Sequence, residues 1–130
     1  MNSEKTLEGI RKMISLIEKL RGEDGCPWVR EQTVKKHFEE LKSEIKELEN
    51  AINNKNTDNL EEELGDVLWD ILTLIKISEK EYGFRIEDIS EKMCQKIIRR
   101  KPYVFGDEKA STPEEACKIW KRIKQEEKKS

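Results

Sequence analysis

Histidine is nearly absent from this chain, and cysteine, proline, glycine and aromatic residues are sparse. In 130 residues there is one histidine, three cysteines, three prolines and six glycines, and aromatic side chains make up 6%. Each shortage excludes something. Cys26, Cys94 and Cys117 are far apart, odd in number and form no C-x-x-C pair, so neither a zinc site nor a disulfide framework is expected. His37 lies in a charged helical stretch with no nucleophile motif near it. That speaks against a Ser-His-Asp triad, and His37 is read as structural, at the surface or partly buried. So few prolines and glycines leave little room for a turn-rich β architecture. No run approaches the roughly 20 apolar residues of a membrane span. The opening Met1-Asn2-Ser3-Glu4-Lys5 does not read as a signal peptide. A cytoplasmic protein with no membrane partner is expected.

Charge, by contrast, is abundant. There are 26 Lys and Arg against 28 Asp and Glu, together 42% of the chain, for a net charge of −2. An average globular protein has about 25%. A nucleic-acid binder usually shows a basic excess, and an acidic disordered tail the reverse. The near-cancellation therefore argues against both, and no nucleic-acid partner is expected. The length suits one domain with its own core, taken as residues 1–130. Hydrophobic residues are only 35% of the total, which implies narrow apolar stripes and wide charged faces. Whatever chemistry occurs must run mainly on carboxylates, Lys and Arg.

The apolar spacing predicts an all-α fold, an antiparallel bundle of about five helices. The first runs from about Glu4 to Leu20, with Leu7, Ile10, Met13, Ile14, Ile17 and Leu20 on one side. Gly22-Glu23-Asp24-Gly25-Cys26-Pro27 then makes a loop. The second spans Thr33 to Asn53, and Val34, Phe38, Leu41, Ile45, Leu48 and Ile52 alternate by four and three, like a coiled-coil seam. Asn53-Asn54-Lys55-Asn56 supplies the turn. The third, from Asp58 to Tyr82, is stopped by Gly83. Its apolar set of Leu60, Leu64, Val67, Leu68, Ile71, Leu72, Leu74 and Ile75 is the broadest, so it belongs at the centre of the bundle. An arc that wide also argues against a lone monomer.

The fourth helix covers Ile86 to Arg100 and ends at Lys101-Pro102. The segment Tyr103-Val104-Phe105-Gly106-Asp107 is apolar enough to be expected to pack back on the helices. The fifth has a clear start, with Thr112 as N-cap, Pro113 in the first turn and Glu115 completing a capping box.

Most of the acidic residues need only a solvated helix face with i,i+4 ion pairs. Two pairs stand apart. Glu44 and Glu47 lie one turn apart on the second helix, and Glu63 and Asp66 one turn apart on the third. Both pairs lie about 8 to 11 residues from the intervening turn, one before it and one after. In an antiparallel hairpin they share one height. Carboxylates brought together this way repel unless something positive lies between them. Hard oxygen ligands suit Mg²⁺ or Mn²⁺, which can bridge to substrate phosphates and activate water. The alternative is acids on a wet groove, paired with some of the many cations. Gly65, between Glu63 and Asp66, costs about 1 kcal/mol relative to Ala inside a helix, which suggests close approach of another helix or a ligand.

At these residues the sequence resembles the MazG-type nucleoside triphosphate pyrophosphohydrolases, over about residues 18 to 128. The matching elements are Leu20-Arg21, Gly25-Cys26-Pro27-Trp28, Glu31-Gln32-Thr33, Glu44-x-x-Glu47, Glu63-Leu64-Gly65-Asp66, the stretch from Arg99 to Asp107, and Trp120-x-x-Ile123-Lys124. The resemblance implies an all-α fold assembled as a homodimer or homotetramer. It also implies hydrolysis of an NTP or dNTP to the monophosphate and pyrophosphate, extending to noncanonical nucleotides. By that likeness Glu44, Glu47, Glu63 and Asp66 hold Mg²⁺ (or Mn²⁺) and act through the bound metal and water. Lys96, Arg100 and Lys124 resemble phosphate-contacting cations, and Trp120 a residue at the nucleotide site. Trp28 and Trp69 are read as packing. Ser43, Val29, Lys101 and Tyr103 depart from the family pattern, which leaves rate, metal preference and nucleotide choice open. So do the alternatives of a dCTP, dUTP or phosphoribosyl-ATP pyrophosphohydrolase and of a non-catalytic nucleotide-binding oligomer.

Overall fold

A computed structural model describes residues 2–55 and 57–129. These form seven helices: α1 (Ser3–Leu20), α2 (Pro27–Arg30), α3 (Val34–Asn54), α4 (Thr57–Tyr82), α5 (Ile86–Arg100), α6 (Pro102–Phe105) and α7 (Pro113–Lys129). Five are long and match the helices expected from periodicity. The other two are single turns. Among the described residues there is no strand, and no helix is long and apolar enough to cross a membrane. The chain divides into two compact units, Met1–Ile86 and Glu87–Ser130.

In the first unit, α4 packs against both α3 and α1, which is the central place its wide apolar arc predicts. The turn between α3 and α4 is made by Lys55 in the left-handed conformation, φ 54°. Asn56, also expected in this turn, lies outside the described residues. At the far end of the hairpin the Val34 amide donates to Glu81 Oε1 at 2.9 Å, so the last turn of α4 caps the first turn of α3. The Thr33 hydroxyl accepts from the Lys36 amide at 3.2 Å, as an N-cap does. Gly83, at φ 82°, ends α4 with its amide on the Glu79 carbonyl at 3.0 Å. Buried Thr73 and Ser78 satisfy their hydroxyls on the carbonyls one turn back, each at 2.8 Å.

The apolar seam of α3 divides. Leu41 is buried, and Val34 and Leu48 are half-buried toward the hairpin. Phe38, Ile45 and Ile52 are instead 47%, 48% and 55% exposed. These three are spaced by seven and form their own stripe. The face turned to α4 is completed by Ala51 and by His37, which is only 2% exposed. Its burial corrects the surface or partly buried position expected for it. A histidine does not register in an apolar count, and the count therefore put Phe38, Ile45 and Ile52 where His37, Glu44 and Ala51 turn inward. On α1, Ile17 is fully buried while Leu7 is exposed, so the apolar side of α1 outruns its packing partner.

Two glycines contrast. A Cβ on Gly25 would fall 2.2 Å from the Leu20 carbonyl oxygen, so the Gly22–Cys26 loop closes only with glycine there. The loop is tied by Cys26 N–H to Leu20 O at 2.7 Å and by Arg21 Nη1 donating to Val29 O at 2.8 Å. At Gly65 a Cβ would meet nothing within 4 Å. The close helix approach expected there is not made within the described residues.

In the second unit, Thr112 Oγ1 accepts from the Glu115 amide at 3.1 Å. The Glu115 carboxylate reaches back to the Ser111 amide at 2.7 Å, one residue beyond the position of a standard capping box. Ile123 is buried, and Arg122 Nη2 pairs with Glu108 Oε2 at 2.7 Å. Val104 and Phe105 are exposed, against the expectation that this segment packs back. Pro102 starts a single turn of helix there, which leaves only Tyr103 half-buried.

Candidate metal centre

The α3–α4 hairpin brings carboxylates from both helices to one level. One oxygen each from Glu44, Glu63 and Asp66 lie within 4.8 Å of one another. Glu44 and Glu63 are half-buried and Asp66 is exposed, so the cluster has a sheltered floor and an open side. Glu63 Oε2 is sheltered from solvent and has no hydrogen-bond partner. Its helical neighbours Glu62 and Asp66 are acids too and offer it no donor.

The electrostatics follow from this crowding. Burial, followed by the negative charges of Asp66, Asp70, Glu63 and Glu47, pushes the Glu44 carboxyl up from the ordinary range. Burial, with Asp66, Glu47 and Glu62, does the same to Glu63. Glu47 lies outside the group of three converging oxygens, yet its charge acts on both Glu44 and Glu63. It stands exposed at the rim.

Oxygen-only donors from two rigid helices, one of them unsatisfied and two with raised pKa, fit a hard divalent cation. A cation between them would relieve the repulsion and satisfy the orphaned oxygen. The chemistry of the donors thus agrees with Mg²⁺ or Mn²⁺ rather than with a thiolate- or imidazole-seeking metal.

The predicted nucleotide-contacting residues lie in the second unit. Arg100 stacks over the Trp120 ring at 4.9 Å, and Lys101 Nζ lies 5.1 Å from the same ring. Arg100 Nη2 donates to Glu127 Oε1 at 2.7 Å, and Arg99 also donates to this carboxylate. Hydrogen bonds from Arg100, then Arg99, hold Glu127 down at about 2. Lys96 is half-buried and Lys124 exposed. Periodicity shows neither Glu127 nor Lys101 as special; the sequence marks Lys101 only as a departure from the family pattern beside Arg100.

Sequence reasoning also missed a contact at the next level of the hairpin. His37 Nε2 lies 3.3 Å from Asp70 Oδ1, and Asp70 is itself buried. The half-exposed Trp28 sets its ring against His37 at 6.3 Å, inclined by 62°. Trp69 is half-buried.

A family model for the MazG nucleotide pyrophosphohydrolase domain matches residues 32–105. The chain is 41% identical over 117 residues to the nucleoside triphosphate pyrophosphohydrolase/pyrophosphatase MazG of Thermotoga maritima, covering 90% of this chain and 44% of that one. It is 34% identical over 119 residues to the nucleoside triphosphate pyrophosphohydrolase of Escherichia coli (strain K12), covering 91% and 45%. It thus spans less than half the length of these curated relatives. A crystal structure of a MazG-related protein from Thermotoga maritima superposes with a TM-score of 0.78 at 38% identity, covering 88% of this chain and 98% of that one.

Proposed function

Because the chain belongs to the family of MazG nucleotide pyrophosphohydrolase domains, we propose that it hydrolyses a nucleoside triphosphate to the monophosphate and pyrophosphate at the acidic level of α3 and α4. The observation that carries this reading is the convergence of Glu44, Glu63 and Asp66 within 4.8 Å, with one sheltered Glu63 oxygen left unpartnered.

Glu44, Glu63 and Asp66, with Glu47 at the rim, would hold Mg²⁺ or Mn²⁺. Such an ion, when bound, neutralises charge on phosphate oxygens and makes a coordinated water more acidic. The protein's own work is orientation. The carboxylate oxygens accept hydrogen bonds from the attacking water and hold it on the open side of the cluster. Two helical backbones keep those oxygens at fixed spacing, so little reorganisation accompanies reaction. The substrate is itself polyanionic, and the chain must offer it cations as well. By the family likeness Lys96, Arg100 and Lys124 are the candidate phosphate contacts and Trp120 the candidate residue for the nucleotide. Arg100 would then exchange its bond to Glu127 for one to phosphate.

A homodimer or homotetramer is part of the same proposal. It is supported by the exposed stripe of Phe38, Ile45 and Ile52 on α3 and by exposed Leu64, Leu68 and Ile71 on α4, since large apolar side chains grouped on a helix face often mark an interface.

The test is release of monophosphate and pyrophosphate from a panel of canonical and modified NTPs and dNTPs, with Mg²⁺ or Mn²⁺. The panel should include dCTP, dUTP and phosphoribosyl-ATP. Turnover by the wild type and its loss in Glu63→Gln are expected. Equal inactivity of both across the panel would sink the enzymatic reading. Binding of a nucleotide without turnover would favour a binding module.

A further inference from the structure

His37 and Asp70 have no role in the reading above, yet they continue its geometry. His37 stands seven residues before Glu44 on α3, and Asp70 stands seven after Glu63 on α4. Seven residues are two turns, about 10 Å along a helix. The helices run in opposite directions, so the two displacements match, and His37 faces Asp70 one heptad along the hairpin from Glu44 and Glu63. Asp66 links the two levels. Its oxygen belongs to the cluster, and Asp70 follows it by four residues, one turn along the same face.

This pair is expensive as mere packing. His37 is 2% exposed and Asp70 9%. Neither imidazole nitrogen makes a well-directed hydrogen bond, although Nε2 lies 3.3 Å from Asp70 Oδ1. A buried polar group left unsatisfied costs about 1–3 kcal/mol, and an aliphatic residue such as the neighbouring Leu41 would fill the same seam without that cost. Asp70 is also among acids, not among compensating bases. Besides His37 it faces Glu40 on α3 and Asp66 on its own helix, and burial raises its carboxyl while His37 opposes the rise. Its charge is felt in turn by Glu44.

We propose that Asp70, held by His37, is an outer carboxylate of the acidic site, a positioning residue that adds negative potential where a divalent cation binds. The inference rests on the metal reading of that site. His37, with Nε2 3.3 Å from Asp70 Oδ1, holds that carboxyl at its place in the hairpin. Partners of metal-ligating residues commonly change metal affinity by about 10–100-fold when removed.

The experiment is Mn²⁺ binding to the nucleotide-free protein, read from the loss of the free-ion paramagnetic resonance signal and calibrated by calorimetry. Asp70→Asn should bind Mn²⁺ about tenfold or more weakly than wild type, with the helical circular dichroism unchanged. His37→Leu should weaken binding as well. His37→Gln, whose amide nitrogen reaches the place of Nε2, should restore most of it. A role in packing alone predicts the reverse pattern, in which the unfolding midpoints of Asp70→Asn and His37→Leu move while Mn²⁺ affinity stays put. Wild-type affinity in Asp70→Asn overturns the proposal. If Asp70→Asn does not fold, equal affinities of the Leu and Gln variants at position 37 overturn it instead. A wild type that binds no Mn²⁺ overturns it together with the metal reading, which separates the two failures.

Discussion

Glu44 on α3 and Glu63 on α4 approach each other across the hairpin, with an oxygen of each inside a 4.8 Å cluster shared with Asp66. Burial first, and then the surrounding acids, raise both in pKa: Asp66, Asp70, Glu63 and Glu47 act on Glu44, and Asp66, Glu47 and Glu62 on Glu63. A group raised in the folded state contributes stability below its ordinary pKa, and that stability is lost as the pH climbs through the raised value. At neutral pH, without a cation, the pair therefore works against the fold.

Glu63→Gln should accordingly raise the unfolding midpoint of the metal-free protein at neutral pH while removing its response to Mn²⁺. For the wild type, an ion present at a hundred times its Kd adds about 2.7 kcal/mol. Calorimetry with and without Mn²⁺ checks both halves. A variant less stable than wild type, yet still stabilised by Mn²⁺, would contradict the repulsion described above.

Glu127 behaves in the opposite sense. Held at about 2 by Arg100 and Arg99, against an ordinary 4.5, it contributes stability above pH 4.5 that is lost as the pH falls toward 2. Wild type should exceed Glu127→Gln in unfolding midpoint at pH 7, and the gap should close on acidification through that window. A gap independent of pH would mean that the charge of Glu127 contributes nothing.

The glycines give a third contrast. Gly65→Ala has open space for its Cβ and gains helix propensity, so it should stabilise by about 1 kcal/mol. Gly25→Ala meets the Leu20 carbonyl and should destabilise by about 1–3 kcal/mol, as overpacking does. Denaturant titrations of the two variants decide. Loss of activity in a well-folded Gly65→Ala would place a ligand or another subunit against that bare stretch of α4.

Ile45→Lys puts a charge in the middle of the exposed α3 stripe, about 100° around the helix from Glu44. If the stripe is an interface between copies, light scattering should show the wild type at a multiple of the monomer mass and the variant shifted to the monomer. The same mass for both would remove the stripe from the assembly.

Much of this was legible before any coordinates. The boundaries of the five long helices, the Gly83 stop, the Thr112 cap and the matched height of Glu44 and Glu63 all follow from spacing. Each depends on interactions between residues close in sequence, or on counting from a single turn. His37 was not legible as a buried residue. Its environment comes from Asp70 across the hairpin, and the roll of α3 about its axis decides whether Phe38, Ile45 and Ile52 or their neighbours His37, Glu44 and Ala51 turn inward beside Leu41. The packing of residues 103–107 failed for a related reason. Apolar character says that a segment can be buried, and a one-turn helix at Pro102 left Val104 and Phe105 in solvent.

The single histidine and the scattered cysteines argue against zinc-type and triad chemistry and point to carboxylates, Lys and Arg as the reactive groups. That expectation is the sequence's own, because it depends on which donors exist and not on where they lie. Which of the 28 acids converge was decided by the tertiary structure. Repulsion, shelter and shared level are relations between two helices, and they exist only once α3 and α4 are paired in register. That pairing picked out Glu44, Glu63 and Asp66, and it set His37 against Asp70 one heptad away.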